Sequence, residues 1–114
     1  MNATIQPGCL AVVTTVGQRA DAQALARALV ELRLAACAQI SEIESVYHWD
    51  GALQQDAEWR VLFKTQRALY PAVEAAILAR HPYSLPAIHA WALEPISAAY
   101  AAWIAAETLT PPGG

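Results

Sequence analysis

The sequence predicts an α+β fold in which two helices cover one face of a four-stranded antiparallel sheet. The first observation is the Asp50-Gly51 pair, which stands between two runs of alternating apolar and polar residues and is typical of a hairpin. The second is the helical spacing of apolar residues on both sides of this hairpin. Together these patterns place a strand and a helix before the hairpin, and a helix and a strand after it.

The size and composition of the chain indicate one domain with apolar surface left for a second copy. The chain has 114 residues, of which 56 % are hydrophobic and four are tryptophan. We expect a single domain over residues 1–114, with an ordered core from about 9 to 107 and a flexible tail over 108–114. Because so small a domain leaves much surface exposed, part of its apolar surface is expected to be buried between subunits.

Charge and cysteine content argue against several kinds of partner. The net charge is −3 and there is no basic run, so nothing indicates a nucleic acid or an anionic membrane surface. No apolar stretch approaches the length of a membrane helix, and Met1–Gly8, expected to be a loose lead-in, lacks a signal pattern. Cys9 and Cys37 have neither metal-type spacing nor a disulfide framework, which predicts free thiols in a reducing cytoplasm.

The first strand and the first helix follow from two local patterns. Cys9–Thr15 is a continuous β-prone run and predicts a buried strand. Helical spacing then runs from Arg19 to Leu34, with Asp21 as the N-cap or as a first-turn acid. The buried stripe of this helix is predicted to comprise Ala22, Leu25, Ala26, Leu29 and Leu32.

The predicted hairpin runs from Ala36 to Thr65 and is the longest element of the chain. Apolar residues are odd-numbered on both sides of the turn, so we expect a three-residue loop, Trp49-Asp50-Gly51. Gly51 would then take the left-handed position of a type I turn plus bulge. A slip in the alternation also predicts a bulge or bend near Ser41-Glu42.

This register gathers acidic residues on one face of the hairpin. It places Glu44 opposite Asp56 and Glu42 opposite Glu58, and like charges in such positions destabilise a sheet. Three interpretations stay open: a solvated face, neutralisation by arginines of another subunit, or attraction of cations.

A second helix and a fourth strand follow the hairpin. Arg67–Arg80 is predicted to be helical, with Pro71 in its first turn and His81-Pro82 at its end. Ile88–Leu93 is the predicted fourth strand. The buried face of the helix is predicted to comprise Leu69, Val73, Ala76, Ile77 and the stem of Arg80.

The complete order of elements is β-α-β-β-α-β-α. Its last member is a helix from Ala98 to about Glu107, which Ser97 is predicted to cap. The first six members form the split-βαβ or ferredoxin-like arrangement. Since two helices cover only one face of the sheet, something else must cover the other, and another subunit is the obvious candidate.

Five side chains are candidate metal ligands. Cys37 is either a small buried hydrophobe or, as a thiolate, a ligand for a soft metal such as Cu(I). His81 is either an imidazolium favoured at the end of a helix or a ligand. The others are Cys9, His48 at the exposed hairpin tip, and His89, expected to be a hydrogen-bonded core or interface residue.

Sequence motifs for catalysis or nucleotide binding are absent. There is no glycine-rich phosphate loop, no nucleophile elbow and no paired-histidine spacing. We therefore predict no enzymatic activity, no catalytic residue and no organic cofactor. Seven aromatic residues either line a small-molecule pocket or pack in the core and between subunits: Tyr47, Trp49, Trp59, Tyr83, Trp91, Tyr100 and Trp103.

Several short segments, taken in order, match the pattern of a known family. They are Leu34-Ala35-Ala36-Cys37, Ser45-Val46-Tyr47-His48-Trp49-Asp50-Gly51, Asp56-Ala57-Glu58, Phe63-Lys64-Thr65, His81-Pro82-Tyr83-Ser84-Leu85-Pro86 and Tyr100-Ala101-Ala102-Trp103. From about Val12 to Trp103 the chain resembles the divalent-cation tolerance proteins called CutA.

The resemblance implies a ferredoxin-like subunit in a tight homotrimer, similar in plan to PII signalling proteins, with the long hairpin reaching across to neighbouring subunits. It implies a role in tolerance of divalent metal ions, with copper as a candidate ligand and Cys37 and His81 as the candidate metal ligands. Ser84 and Ala87 stand where the family commonly has acidic residues, which removes two potential ligands.

Three functional hypotheses follow. The first is a CutA-like homotrimer in the response to divalent metals. The second is a PII-like module that holds a small ligand between subunits. The third is a hydrolase or transferase that uses His81 and nearby carboxylates, and it lacks a recognisable nucleophile.

Overall fold

The structure is a computed structural model that describes residues 7–111. The strands are β1 (Cys9–Val16), β2 (Cys37–Trp49), β3 (Ala52–Gln66) and β4 (Ile88–Ala92). The helices are α1 (Arg19–Glu31), α2 (Tyr70–Arg80, preceded by a 3-10 turn over Arg67–Leu69) and α3 (Ala98–Ala106). The sheet is antiparallel with strand order β2-β3-β1-β4. Residues 1–6 of the predicted lead-in, Met1–Gly8, lie outside the described residues.

The hydrophobic core lies between one face of the sheet and the helices α1 and α2, which confirms the predicted α+β fold. We call this side of the sheet the helix-covered face and the other side the open face. Side chains alternate along a strand, so every second residue of β1 and β3 points into the core. The buried cluster includes Leu10, Val12 and Val16 of β1, Val61 and Phe63 of β3, Leu25 and Leu29 of α1, and Val73 and Ile77 of α2.

The hairpin turn has two residues, so the predicted three-residue loop is wrong. Trp49 pairs with Ala52, and both Asp50 (φ 53°) and Gly51 (φ 77°) have positive φ, as in a type I′ turn. Such turns match the right-handed twist of the strands, and Asp-Gly is among the sequences that adopt them most readily. The turn therefore decided the register against the apolar pattern.

The observed pairing also overturns three further predictions. Glu44 pairs with Ala57 and Glu42 pairs with Trp59, so the predicted opposition of like charges does not occur. The pairing from Cys37 to Trp49 is one-to-one throughout, so there is no bulge near Ser41-Glu42. Tyr47 lies on the open face and Trp59 on the helix-covered face, whereas the prediction placed them together.

The end of the hairpin extends beyond the rest of the sheet. Val16, the last residue of β1, pairs with Trp59, so residues 43–58 form a two-stranded ribbon without a third strand. Large apolar side chains lie exposed on this ribbon: Val46 (61 %), Leu53 (67 %), Trp49 (50 %) and Tyr47 (39 %). A two-stranded ribbon is only marginally stable in water, so these side chains require cover from elsewhere.

Helix α1 ends three residues earlier than the spacing predicts. Arg33 adopts the left-handed conformation (φ 58°), and the Leu34 amide donates to the Leu29 carbonyl. This is a Schellman ending with arginine at the position that usually holds glycine. Leu32 consequently leaves the predicted stripe and is 44 % exposed. Among the helices of residues 7–111, none is both long and apolar enough to cross a membrane.

Helix α3 covers part of the open face. The Ser97 hydroxyl caps it by accepting from the Tyr100 amide, as predicted. Lys64 and Gln66 point to the open face and contact α3 and the residues after it: the Lys64 ammonium donates to the Tyr100 hydroxyl (3.1 Å), and the Gln66 amide donates to the Thr108 hydroxyl (2.7 Å). Thr108, the first residue of the predicted tail, is buried.

Candidate functional site

A cleft of about 690 Å³ lies between the ribbon and the segment that follows α2. The two-residue turn makes it possible, because it puts the odd residues of β2 and the even residues of β3 on the open face together. The lining comprises Ser45, Val46, Tyr47, Trp49 and Glu58 of the ribbon, Thr15 of β1, and Tyr83, Ser84, Leu85 and Ala87 of the segment after α2.

A carboxylate, Glu58, lies buried at the wall of this cleft. Glu58 is only 9 % exposed, and its carboxylate accepts a 3.0 Å hydrogen bond from the Tyr83 hydroxyl. Burial, the hydrogen bond to Glu58 and the charge of that carboxylate together raise the pKa of Tyr83 to about 12. The ion pairs found in residues 7–111 are Arg27–Glu31 and Arg33–Glu107, so Glu58 has no cationic partner in that part of the chain.

A second phenol and carboxylate pair lies beside the first. The Tyr47 hydroxyl donates a 2.6 Å hydrogen bond to Asp56, which is two residues from Glu58 on the same face of β3. This hydrogen bond is the main reason why the pKa of Tyr47 is raised. Glu58 therefore lines the cleft and Asp56 lies beside it on β3, and each carboxylate accepts a hydrogen bond from a neutral phenol.

The predicted ligand His81 has both ring nitrogens in contact with the backbone. Nε2 lies 2.9 Å from the Thr15 carbonyl oxygen, and Nδ1 accepts a 3.1 Å hydrogen bond from the Tyr83 amide. A metal bound to either nitrogen would replace one of these contacts. The ring instead joins the end of β1 to the segment that carries Tyr83, so it positions one wall of the cleft.

The other predicted ligand, Cys37, lies on the open face at the far end of the hairpin. It is half-buried and pairs with Lys64, whose ammonium lies 5.2 Å from the centre of the Tyr100 ring. The thiol is free, as the sequence predicted. Its cross-strand neighbour is therefore a cationic residue and not a second soft ligand.

One chain does not bring Cys37 and His81 together. Cys37 is level with Ala11 of β1, two strands away, whereas His81 contacts Thr15. Four residues along β1 span about 13 Å and two strand spacings about 10 Å, which is beyond the reach of a shared metal ion. Within residues 7–111 no three His, Cys, Asp or Glu side chains form a group that would hold a metal.

The remaining candidates from the sequence lie apart from the cleft. Cys9 is buried, and burial raises the pKa of its thiol, as expected for an inert cysteine. His48 is exposed near the hairpin tip, as predicted. His89 is exposed on the open face, with its ring 6.1 Å from that of Trp91.

Sequence reasoning proposed the aromatic residues of the cleft as a pocket but missed the role of Glu58. The predicted register assigned Glu58 to an acidic face with Glu42 and Glu44, away from Tyr47. The signal that would have placed it correctly is the Asp50-Gly51 pair, whose preferred two-residue turn brings Glu58 and Tyr47 to the same face.

Three comparisons place this structure among known proteins. A family model described as CutA1 divalent ion tolerance protein matches residues 10–107. The divalent-cation tolerance protein CutA of Thermus thermophilus is 36 % identical over 98 residues, which are 85 % of this chain and 95 % of that protein. The mouse protein CutA is 36 % identical over 100 residues, but the chain spans only 56 % of its length.

A solved structure matches the fold at similar identity. The crystal structure of CutA1 from the psychrotrophic bacterium Shewanella sp. SIB1 has a TM-score of 0.87 and 34 % identity, over 93 % of this chain and all of that one. The match of the family model to most of the chain and the agreement in fold lead to one assignment. This chain belongs to the CutA1 family of divalent ion tolerance proteins.

Proposed function

We propose that this protein acts as a homotrimer in the response to divalent metal ions, without enzymatic activity and in a reducing cytoplasm. The observation that carries the proposal is the match of residues 10–107 to the family, together with a Thermus thermophilus relative named for divalent-cation tolerance. The two free cysteines fit a reducing compartment.

The exposed ribbon supports association between copies. Val46 and Leu53 lie on one face of residues 43–58 and Tyr47 and Trp49 on the other, so both faces hold exposed apolar side chains. Burial of such side chains between subunits would supply the cover that a single chain lacks. The ribbon is therefore the part of the chain that we assign to the trimer interface.

Sedimentation equilibrium tests this assembly. We expect about three times the subunit mass for the wild type and a lower mass for Leu53→Asp, because a charge at the ribbon opposes burial. Leu78→Asp is the matched control, because Leu78 lies on α2 and its exposed fraction of 53 % is similar to the 67 % of Leu53. A wild type that sediments as one subunit contradicts the proposal.

Cys37 is the residue that we propose as a copper ligand. A thiolate selects soft ions such as Cu(I), and Cys37 is the less buried of the two cysteines. Within residues 7–111 it has no companion set of ligands, so further donors would come from another copy or from solvent. His81 would contribute only by giving up a backbone contact.

Calorimetric titration with Cu(I), Cu(II) and Zn(II) tests the metal site. We expect binding heat for wild type and for Cys9→Ser, whose thiol is buried, and no heat for Cys37→Ser. Binding heat of His81→Gln equal to that of the wild type would show that His81 is not a metal ligand. Binding that survives in Cys37→Ser contradicts the role of that thiol.

The cleft favours a second candidate function, a PII-like small-ligand site. Its volume of about 690 Å³ lies within the range of small-molecule pockets, and aromatic side chains with a buried carboxylate line it. Because the ribbon forms one wall, we propose that the site lies at the seam between subunits. A thermal shift caused by a metabolite but by no metal would favour this function over the first.

A further inference from the structure

We propose that Glu58 of one copy forms an ion pair with Arg60 of the next copy, so that the same pair recurs at every contact between subunits. The inference rests on the proposed homotrimer and adds the charged contact that determines how its subunits meet. Both residues lie on the open face of β3, two positions and about 7 Å apart along the strand.

Neither of these two charges has a partner within its own chain. Among residues 7–111 no ion pair includes Glu58 or Arg60. Glu58 lines the cleft and accepts from the neutral phenol of Tyr83, whereas Arg60 lines a separate depression beside His89. Burying a carboxylate is costly unless an opposite charge accompanies it. A single chain therefore leaves an acid and a base unpaired on the same face of one strand.

Assembly through the open face would bury Arg60 as well as Glu58. Arg60 is exposed in the single chain, and it shares its depression with Trp91, whose ring is 45 % exposed. Covering this ring with another copy would take the neighbouring guanidinium out of water, and a buried charge needs an opposite one. The assembled protein therefore needs a carboxylate at Arg60 and a cation at Glu58.

A second copy of the chain supplies both groups. On the open face of the four strands the acidic residues are Asp56 and Glu58, and the Lys and Arg residues are Arg60 and Lys64. Asp56 is exposed farther out on the ribbon, and the Lys64 ammonium already donates to the Tyr100 hydroxyl. This leaves Glu58 and Arg60 as the acid and the base whose charges assembly must balance.

The position of Glu58 connects this pair to the interface already assigned to the ribbon. Glu58 is the last residue of the ribbon, and Arg60 is the second residue of β3 that pairs with β1. If each copy offers Glu58 to one neighbour and Arg60 to the other, the contact joins two different surfaces. A contact of this kind closes into a ring under threefold rotation.

Sedimentation equilibrium of charge-reversal variants is the first test. Glu58→Arg and Arg60→Glu each place like charges in contact between subunits, so each should raise the concentration of half-dissociation at least about tenfold. A chain with both changes restores the opposite charges and should assemble nearly as well as the wild type. Glu74→Arg is the control, because Glu74 lies on α2, on the other side of the sheet, and its reversal should leave the assembly unchanged.

Co-expression of the two single variants distinguishes a pair between subunits from a pair within one chain. A trimer of either variant alone opposes like charges at every contact, whereas a mixed trimer replaces two of these contacts by opposite charges. Native mass spectrometry should therefore find mixed trimers in excess of their statistical share. A repulsion within one chain would not be relieved by mixing, so a statistical distribution overturns the inference.

Circular dichroism establishes that each variant is folded. If Glu58→Arg fails to fold, Glu58→Gln replaces it in the co-expression, because glutamine keeps the shape of the side chain without its charge. Mixed trimers with Arg60→Glu should then still exceed their statistical share, since mixing removes like-charge contacts. A wild type that sediments as one subunit contradicts the homotrimer and the pair together. A wild-type trimer whose variants mix at random overturns the pair alone.

Discussion

The Nε2 atom of His81 lies 2.9 Å from the carbonyl oxygen of Thr15, and this contact fixes where the ring carries its proton. Nδ1 accepts from the Tyr83 amide, so in the neutral ring Nε2 must be the donor to Thr15. An imidazolium would carry a second proton on Nδ1 and lose the Tyr83 bond. The neutral ring is therefore part of the structure that holds Tyr83 against Glu58.

The stability of the protein should depend on pH through His81. Burial lowers the pKa of His81 below 6.5, although the Thr15 carbonyl, Asp21 and Glu58 oppose the shift. Below pH 6.5 the unfolded chain takes up the proton before the folded one, so this stabilisation is complete above pH 6.5 and is lost as pH falls. His81→Gln should cost about 1 kcal/mol at pH 7.5, and its difference from wild type should shrink toward pH 5.

Urea denaturation at fixed protein concentration and several pH values measures this difference. His48→Gln is the control, because His48 is exposed near the hairpin tip and its replacement should follow the wild type at every pH. A His81→Gln curve parallel to that of wild type from pH 7.5 to 5 would contradict the assignment.

The contact between Tyr83 and Glu58 should appear in the titration of tyrosine. Tyr83 titrates at about 12 because of burial first and Glu58 second, so Glu58→Gln should lower its pKa but leave it above 10. Ultraviolet absorbance of tyrosinate follows this titration, and Tyr83→Phe identifies the tyrosine responsible. The neutral phenol stabilises the fold fully below pH 10, and this stabilisation is lost as pH rises through about 12. An unchanged curve in Glu58→Gln would exclude the coupling.

Much of the fold could be predicted because its core elements bury one face each. The helical spacing of Val73, Ala76 and Ile77 and the alternation of Val61 and Phe63 follow directly from what must point inward, and all five are buried. Where one face of a helix or strand is buried and the other is exposed to solvent, the pattern of apolar residues determines the structure.

The same reasoning could predict neither the register of the ribbon nor the residues that meet in the cleft. On the ribbon both faces hold apolar side chains, such as Leu53 on one side and Trp49 on the other, so the pattern does not favour one register. The conformation of Asp50 and Gly51 decided it. The pairing of Glu58 with Tyr83 depends in turn on this register and on a segment distant in sequence, which no local pattern reveals.

The turn itself should be sensitive to replacement of its glycine. Gly51 has φ 77° and no atom within 4 Å of an added Cβ, so Gly51→Ala tests backbone strain without a steric clash. We expect a loss of about 1 kcal/mol, the cost of a non-glycine residue in the left-handed region. Asp50→Asn is the control, since asparagine tolerates positive φ and should leave the denaturation midpoint unchanged. Equal midpoints for Gly51→Ala and wild type would argue against the two-residue turn.

The same substitution at two buried threonines should affect stability differently. Thr65 donates a 2.6 Å hydrogen bond to the Leu34 carbonyl, so Thr65→Val leaves a buried acceptor unpaired and should cost about 1–3 kcal/mol. Thr14, on the neighbouring strand, is equally buried, but its hydroxyl has no hydrogen-bond partner within residues 7–111. Thr14→Val therefore replaces an unpaired polar group by a methyl group and should be neutral or stabilising by up to about 1 kcal/mol. Denaturation midpoints of the two variants at one protein concentration give the comparison. A loss at Thr14 as large as that at Thr65 would mean that the Thr14 hydroxyl has a partner in solution.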